Sequence, residues 1–310
     1  MKNIKQLMKR IISNKELRLK VNRILTQNIS EEKVIKFLYY ISMGEKLNLK
    51  NPQKFNEKIQ WYKLNYREKL MVQCSDKYLV RHYVKDVGLE HILTPLYAVF
   101  EEASLIEFKN LPDEFYMKCT HNSNGNFLYK KKLNPNEFEV KKKFSRMMKN
   151  NAYFSSREWA YKDIKPRIIC EEYLKPNEGS SLVDFNFFCF NGEPKLIMYN
   201  LGLSNDKGEH TVGKRAVLDQ DFNVLDVETS MDRLDINLIN KPNNFDEMLE
   251  YAKILSKPFP FVRVDFFYIN NQIRFGELTF YSAGGYGKYS PDKWQYKLGE
   301  WFELPNVEKS

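Results

Sequence analysis

The chain has 310 residues but only four cysteines and four histidines. Cys74, Cys119, Cys170 and Cys189 form no CxxC element, which leaves zinc-knuckle and dithiol chemistry without a motif. Three of the four lie in apolar runs that read as strands, so a reduced, cytoplasmic setting is expected. His82, His91, His121 and His210 make neither HExxH nor an i,i+4 pair, so a zinc site is unsupported. GxSxG, GxGxxG and GxxxxGK[ST] are all missing, which argues against a serine-hydrolase elbow, a dinucleotide-binding turn and a Walker A loop. No apolar run is long enough to span a bilayer. Met1–Lys20 is charged throughout and lacks the apolar stretch of a signal peptide. There is no internal repeat and no low-complexity tract.

What is present is the material for a large core. Hydrophobic residues make up 43% of the chain and aromatics 15%. The length suits a two-lobed enzyme or two to three subdomains. Net charge is +9, densest at Lys2–Arg23, Lys130–Lys132 and Lys141–Lys149. A basic balance suits an anionic substrate, an anionic membrane surface or simply a solvated surface. Nucleic acid is not expected, because no aromatic-basic RNA motif or finger spacing accompanies the charge.

Ile4, Leu7, Met8, Ile11 and Ile12 recur at helical spacing among lysines. This first helix either packs on its own domain or makes a peripheral contact with an anionic membrane. Ser30 reads as an N-cap, with Glu31 and Glu32 in the following first turn. Residues 54–88 read as two helices. Strands are expected at 92–100, 114–120, 127–130 and 167–174, with helix and loop over 134–162. Two hairpins follow: Val183–Phe190 with Pro194–Tyr199 across Asn191-Gly192, and Val262–Ile269 with Ile273–Phe280 across Asn270–Gln272. A helix is expected between them at Asn244–Leu255. Helices, then mixed elements, then a sheet-rich half make an α+β pattern.

The most informative segment is FVRVDFFYINNQIRFGELTFYSAGG, Phe261–Gly285. Alternation sends Val262, Val264, Phe266 and Tyr268 to one face, with Gly276, Leu278 and Phe280 from the return strand. Arg263, Asp265 and Phe267 share the other face with Glu277 and Thr279. A three-residue turn sets Asp265 opposite Glu277 and Arg263 opposite Thr279. Two facing carboxylates repel, so something must neutralise them. One candidate is a hard divalent cation such as Mg²⁺; the other is a solvated face with Arg263 as counter-ion.

Lys118 lies on the otherwise apolar strand EFYMKCT and needs an anionic partner or an escape to solvent. The loop beyond it, His121, Asn122, Ser123, Asn124, Gly125 and Asn126, could present backbone N–H groups to a phosphate. Polar hairpin loops of this kind are also common without a ligand. Glu171, Glu172, Tyr173 and Leu174 close an apolar strand, with Glu178 beyond them. Such a strand end can read an adenine edge and a ribose diol, or simply meet the surface.

Taken in order, NPQKFNEKIQWYKL, CSDKYLVRHYV, FYMKCTHNSNGN, EEYL, DFNFFCFNGEPK and the Phe261–Gly285 segment resemble the ATP-grasp superfamily. The chain is most similar to its TupA-like branch of surface-polysaccharide loci. The resemblance runs from about Asn51 to Pro305. It implies an ATP-grasp fold of two α+β lobes gripping ATP, with a helical region at 1–95, a lid at 96–170 and a metal-bearing subdomain at 171–310.

It also implies roles. Lys77 and Lys118 contact nucleotide phosphates, and the His121–Asn126 loop closes over them. Glu171–Leu174 hydrogen-bonds adenine and Glu178 binds ribose. Asp265, Glu277 and Thr279 hold Mg²⁺, and Arg263 stabilises charge in phosphoryl transfer. Two positions depart from the pattern. Thr279 stands where peptide-ligase relatives commonly have Asn, and Asn186 where a lysine is expected. Lys214 or Arg215 is a candidate for a further phosphate contact.

The implied reaction joins a carboxylate to an amine through an acyl phosphate, using ATP and Mg²⁺. The implied partners are a carboxylate-bearing glycan, lipid-linked or nucleotide sugar, and an amine, with work done at the cytoplasmic face. A glycosyltransferase of capsule or O-antigen assembly is the alternative enzyme. A non-catalytic membrane-surface scaffold is the alternative without catalysis.

Overall fold

A computed structural model describes residues 29–122, 125–177, 182–203 and 211–307. The basic stretch carrying Ile4 to Ile12, together with Ser123, Asn124, Glu178 and His210, lies outside the described residues.

Helix α1 (Glu31–Met43) follows Ser30, whose hydroxyl makes no capping hydrogen bond. Glu31 and Glu32 favour the positive end of the helix dipole instead. Val34, Ile35, Leu38 and Tyr39 form its buried stripe. Gly44 ends it at a φ of 78°, a conformation that glycine adopts without a Cβ clash.

Residues 54–88 carry three helices, not the two expected: α2 (Phe55–Asn65), α3 (Lys69–Ser75) and α4 (Val80–Asp86). The additional break is at Asp76. Its carboxylate accepts the backbone N–H groups of Tyr78 and Leu79, which restarts the chain after α3. Glu57 anchors the start of α2 by accepting the N–H groups of Gln53 and Lys54 at 2.9 and 3.1 Å.

The first sheet has four strands, β1 (Leu96–Phe100), β2 (Glu114–Cys119), β3 (Asn126–Lys130) and β4 (Ile168–Glu171), in the order β1-β4-β2-β3. All its pairings are antiparallel. Along β2, buried Phe115, Met117 and Cys119 alternate with half-buried Glu114, Tyr116 and Lys118. Helix α5 (Glu137–Met148) covers the apolar face with Val140 and Phe144. Helix α6 is the single turn Tyr153–Ser156.

The second sheet has six strands, β5 (Val183–Phe190), β6 (Glu193–Leu201), β7 (Lys214–Leu218), β8 (Asp232–Arg233), β9 (Phe261–Ile269) and β10 (Gln272–Thr279). Their order is β10-β9-β5-β6-β7-β8, antiparallel except between β7 and β8. The β5–β6 hairpin turns on Asn191 and Gly192 at φ 49° and 83°, as the Asn-Gly pair predicts.

One face of this sheet, with Phe185, Phe187, Val264 and Phe266, belongs to the core that takes in Phe245, Met248, Ala252 and Leu255 of α7 (Phe245–Ser256). The other face is divided. At one end Phe188, Phe190 and Phe261 meet Phe55 of α2, with ring centroids 5.1 to 6.1 Å apart. Phe302, just after α8 (Lys293–Trp301), closes that cluster. Truncating a fully buried ring such as Phe55 costs roughly 3–5 kcal/mol. At the other end the same face turns polar, and the candidate site lies there.

All four cysteines are buried and free. Among the described residues no helix is long and apolar enough to cross a membrane.

Candidate active site

The polar end of the sheet is built by the β9–β10 hairpin. Asp265 pairs with Glu277, and Arg263 with Thr279, the register the alternation predicts. The route to that register differs from the expected one. The turn has two residues, Asn270 and Asn271, at φ 51° and 61°, rather than three. The extra residue sits in a bulge between Phe275 and Glu277. The bulge shifts the facing parity, so Ile273 and Phe275 before it and Leu278 after it are all buried. Gly276 is required there, because a Cβ would come 2.9 Å from the carbonyl oxygen of Asp265.

Arg263 lies across both acids. Its Nε and Nη2 donate to the two carboxylate oxygens of Asp265 at 2.7 and 2.5 Å. Nη2 also donates to the Thr279 hydroxyl at 3.1 Å and lies 3.5 Å from Glu277. The Thr279 hydroxyl donates to Glu277 at 3.1 Å. Burial pushes the Asp265 carboxyl up to about 7, against the pull of Arg263. Burial acts on Glu277 in the same direction, but Lys77 and Arg263 outweigh it and hold that carboxyl down at about 2. The two facing acids are thereby driven apart in proton affinity.

The segment from Asp76 to Arg81 joins this corner to the first sheet. Lys77 Nζ lies 3.2 Å from Glu277, while the Lys77 backbone N–H donates to the Thr120 carbonyl. Asp76, fully buried, pairs with Arg167 at 3.1 Å. Arg81 pairs with Glu171 at 3.0 Å. Lys118 reaches the other oxygen of Glu171 at 2.8 Å. The anionic partner that Lys118 needs is therefore Glu171, and the Glu171 carboxylate sits between two cations rather than at a free surface.

Glu172, Tyr173 and Leu174 follow, each half-buried. The Glu172 N–H donates to the Pro95 carbonyl at 2.9 Å, and Lys130 lies over the Tyr173 ring. His121 and Asn122 are buried at the start of their loop, and the Asn122 amide donates to the Met147 carbonyl of α5. Burial lowers the His121 pKa and so disfavours its charged form. Gly125 returns the chain to β3, and a Cβ there would fall 2.3 Å from the Asn122 side-chain oxygen.

Further polar neighbours of the acid pair come from the adjoining strands. Asp184 and Asn186 on β5, Asn200 on β6 and Arg215 on β7 share the face of Asp265. Burial raises the Asp184 carboxyl to about 6. Of the two basic candidates on β7, Lys214 is exposed, while Arg215 donates to Asn200 at 2.6 Å. The alternation in VDFNFF marks Asp184 and Asn186 as sharing a face. Nothing local announces Arg81, whose partner is 90 positions away.

Among the described residues no three His, Cys, Asp or Glu side chains cluster as a self-sufficient metal cage. Mg²⁺ does not require one. It takes one or two carboxylates and completes its shell with phosphate oxygens and water. Two carboxylates and a hydroxyl on adjacent strands fit that all-oxygen chemistry.

Two sheets joined by a cation-bearing segment, with paired acids on the second, belong to the ATP-grasp class. More narrowly, the chain belongs to the TupA-like ATP-grasp family, whose model matches residues 57–303. No curated protein matches it. Among solved structures it is similar to a phosphoribosylamine–glycine ligase from Thermotoga maritima, at 11% identity and a TM-score of 0.41, over 69% of this chain and 49% of that one. It is also similar to a D-alanine–D-alanine ligase from Helicobacter pylori, at 17% identity and a TM-score of 0.40, over 82% and 70%. An L-amino acid ligase from Bacillus licheniformis follows at 12% identity and a TM-score of 0.42, over 89% and 57%. The chain thus spans about half the length of the first and the last of these.

Proposed function

We propose that the chain is an ATP-dependent carboxylate–amine ligase that makes an amide through an acyl phosphate. Its acceptor is a carboxylate-bearing surface polysaccharide, such as a capsule, O-antigen or teichuronic-type glycan, or a precursor of one. The observation that carries this reading is the Asp265–Glu277 cross-strand pair with Arg263 and Lys77 set against it.

In this reading Asp265 and Glu277, with Thr279, hold Mg²⁺, which when bound neutralises phosphate oxygens as a Lewis acid. Lys77 and Lys118 leave their present carboxylate partners for the triphosphate. Arg263 lies where charge develops on the transferring phosphoryl group. The His121–Gly125 loop contributes backbone N–H groups, since the His121 and Asn122 side chains are already packed under α5. Glu171 to Leu174 line the adenine.

An acceptor carboxylate oxygen attacks the γ-phosphorus and ADP leaves. The amine nitrogen then attacks the acyl carbon, phosphate leaves with the acceptor oxygen, and the ammonium proton goes to solvent. The protein's share is positioning, charge neutralisation and exclusion of water.

The test follows the oxygen. With ¹⁸O-labelled glucuronate, galacturonate or glutamate as acceptor and hydroxylamine as amine, label should enter inorganic phosphate and a hydroxamate should form. Asp265→Asn and Glu277→Gln should each abolish both signals. ATP consumption that survives both substitutions sinks the reading. A nucleoside diphosphate released from a sugar donor without ATP would restore the glycosyltransferase alternative.

A further inference from the structure

The polar face does not end at the acid pair. Four side chains continue it across three further strands in one hydrogen-bonded chain. The Asn186 amide donates to the Asp184 carboxylate at 2.6 Å. The Asn200 amide donates to the Asn186 side-chain oxygen at 2.9 Å and to the Asp184 carbonyl at 3.0 Å. Arg215 Nε then donates to the Asn200 side-chain oxygen at 2.6 Å. Asn186 and Asn200 are both almost fully buried, so the chain is rigidly held.

The effect is to fix the plane of the Arg215 guanidinium through one nitrogen. Among the described residues its two Nη groups have no carboxylate within ion-pair distance. Burial and the nearby Arg263 press its pKa down, outweighing the opposite pull of Asp184 and Asp265. A planar guanidinium with its end free accepts a carboxylate in two parallel hydrogen bonds.

Other cations already stand where the triphosphate would bind. Lys77 and Arg263 already stand at the acids, and Lys118 is on β2 of the first sheet. Arg215 is on β7, three strand spacings from β9, or about 14 Å between backbones.

We propose that Arg215, oriented by Asn200, Asn186 and Asp184, is a subsite for a second carboxylate of the acceptor. The preferred acceptor therefore carries two acid groups, one reacting at the Asp265–Glu277 corner and one held by Arg215. This rests on the ligase reading and adds a specificity to it.

The experiment is calorimetry on the full chain with Mg²⁺–AMP-PNP, D-glucarate (a carboxylate at each end) and D-glucuronate (one carboxylate). The wild type should bind Mg²⁺–AMP-PNP and, once so loaded, bind glucarate at least tenfold tighter than glucuronate. Arg215→Gln should remove that preference while changing nucleotide affinity less than twofold. Arg215→Lys keeps the charge but not the fork and should recover only part of the preference, which separates recognition from misfolding. Loss of nucleotide affinity in both variants, with melting unchanged, overturns the proposal and makes Arg215 a phosphate residue. Equal binding of the two sugar acids by the wild type also overturns it but leaves the ligase reading standing. Failure of the wild type to bind Mg²⁺–AMP-PNP sinks both.

Discussion

Lys77 and Glu277 are 200 positions apart in the chain and 3.2 Å apart in space. The contact crosses from the helical segment to β10 and closes the corner where the acids meet. Glu277 remains 38% exposed at its side chain, so the ion pair itself adds little to stability. Its value lies in where it keeps the ammonium. Lys77→Met should therefore cost less than about 1 kcal/mol of folding stability. It should weaken Mg-ATP binding tenfold or more by calorimetry. Several kcal/mol lost with nucleotide affinity intact would make the pair structural only.

Glu171 presents the opposite case. Its carboxylate is 8% exposed and lies between Lys118 at 2.8 Å and Arg81 at 3.0 Å. Removing it leaves two half-buried cations facing each other. Glu171→Ala should cost on the order of 3 kcal/mol in chemical denaturation. Lys118→Met leaves Arg81 to neutralise the acid and should cost markedly less, while lowering ATP turnover. Equal destabilisation by both substitutions would contradict the bracketing of Glu171.

The contrast shows what a sequence can carry. Asp265, Glu277, Arg263 and Thr279 are legible because strand alternation is a local, period-two signal and a hairpin brings its two halves together. Even there the register follows from a two-residue turn plus a bulge, a division that counting residues between strands cannot resolve. Lys118 is legible as a lysine in need of an anion, but Glu171 is not legible as that anion, since the pairing depends on β4 lying beside β2. Arg81 and the Asp76–Arg167 pair depend on helix placement across 90 and 91 positions, and no periodicity encodes that. The family resemblance rests on ordered motifs, and the match over residues 57–303 bears it out.

Gly276 tests the bulge directly. A methyl group there would press on the Asp265 carbonyl oxygen at 2.9 Å and on the Asp265 carbonyl carbon and Cβ at 3.3 Å, none of them the end of a flexible side chain. Gly276→Ala should destabilise the chain by about 1–3 kcal/mol through overpacking. It should lower Mg²⁺-dependent nucleotide affinity more than nucleotide affinity without metal, because the strained residue sets where Glu277 faces. An unchanged melting temperature together with unchanged metal dependence would mean the bulge can relocate without consequence.

Lys63 offers a test by pH alone. It is 1% exposed, and its ammonium donates to the Gln60 side chain and to the carbonyls of Ser156 and Gly284 at 2.6 to 3.0 Å. No carboxylate lies within ion-pair distance among the described residues. Burial lowers its pKa from 10.5 to about 8. Between those values the unfolded chain holds a proton that the folded chain has released. Stability from this group therefore rises as pH climbs from 8 toward 10.5, by about 3 kcal/mol in full. Lys63→Met lacks the group and should lack that rise. The measurement is the difference in unfolding free energy, wild type minus variant, across pH 7 to 10.5. A difference that grows in favour of the wild type supports a desolvated ammonium holding the Gly284 turn. A difference that stays flat means Lys63 keeps its ordinary proton affinity and is reached by water.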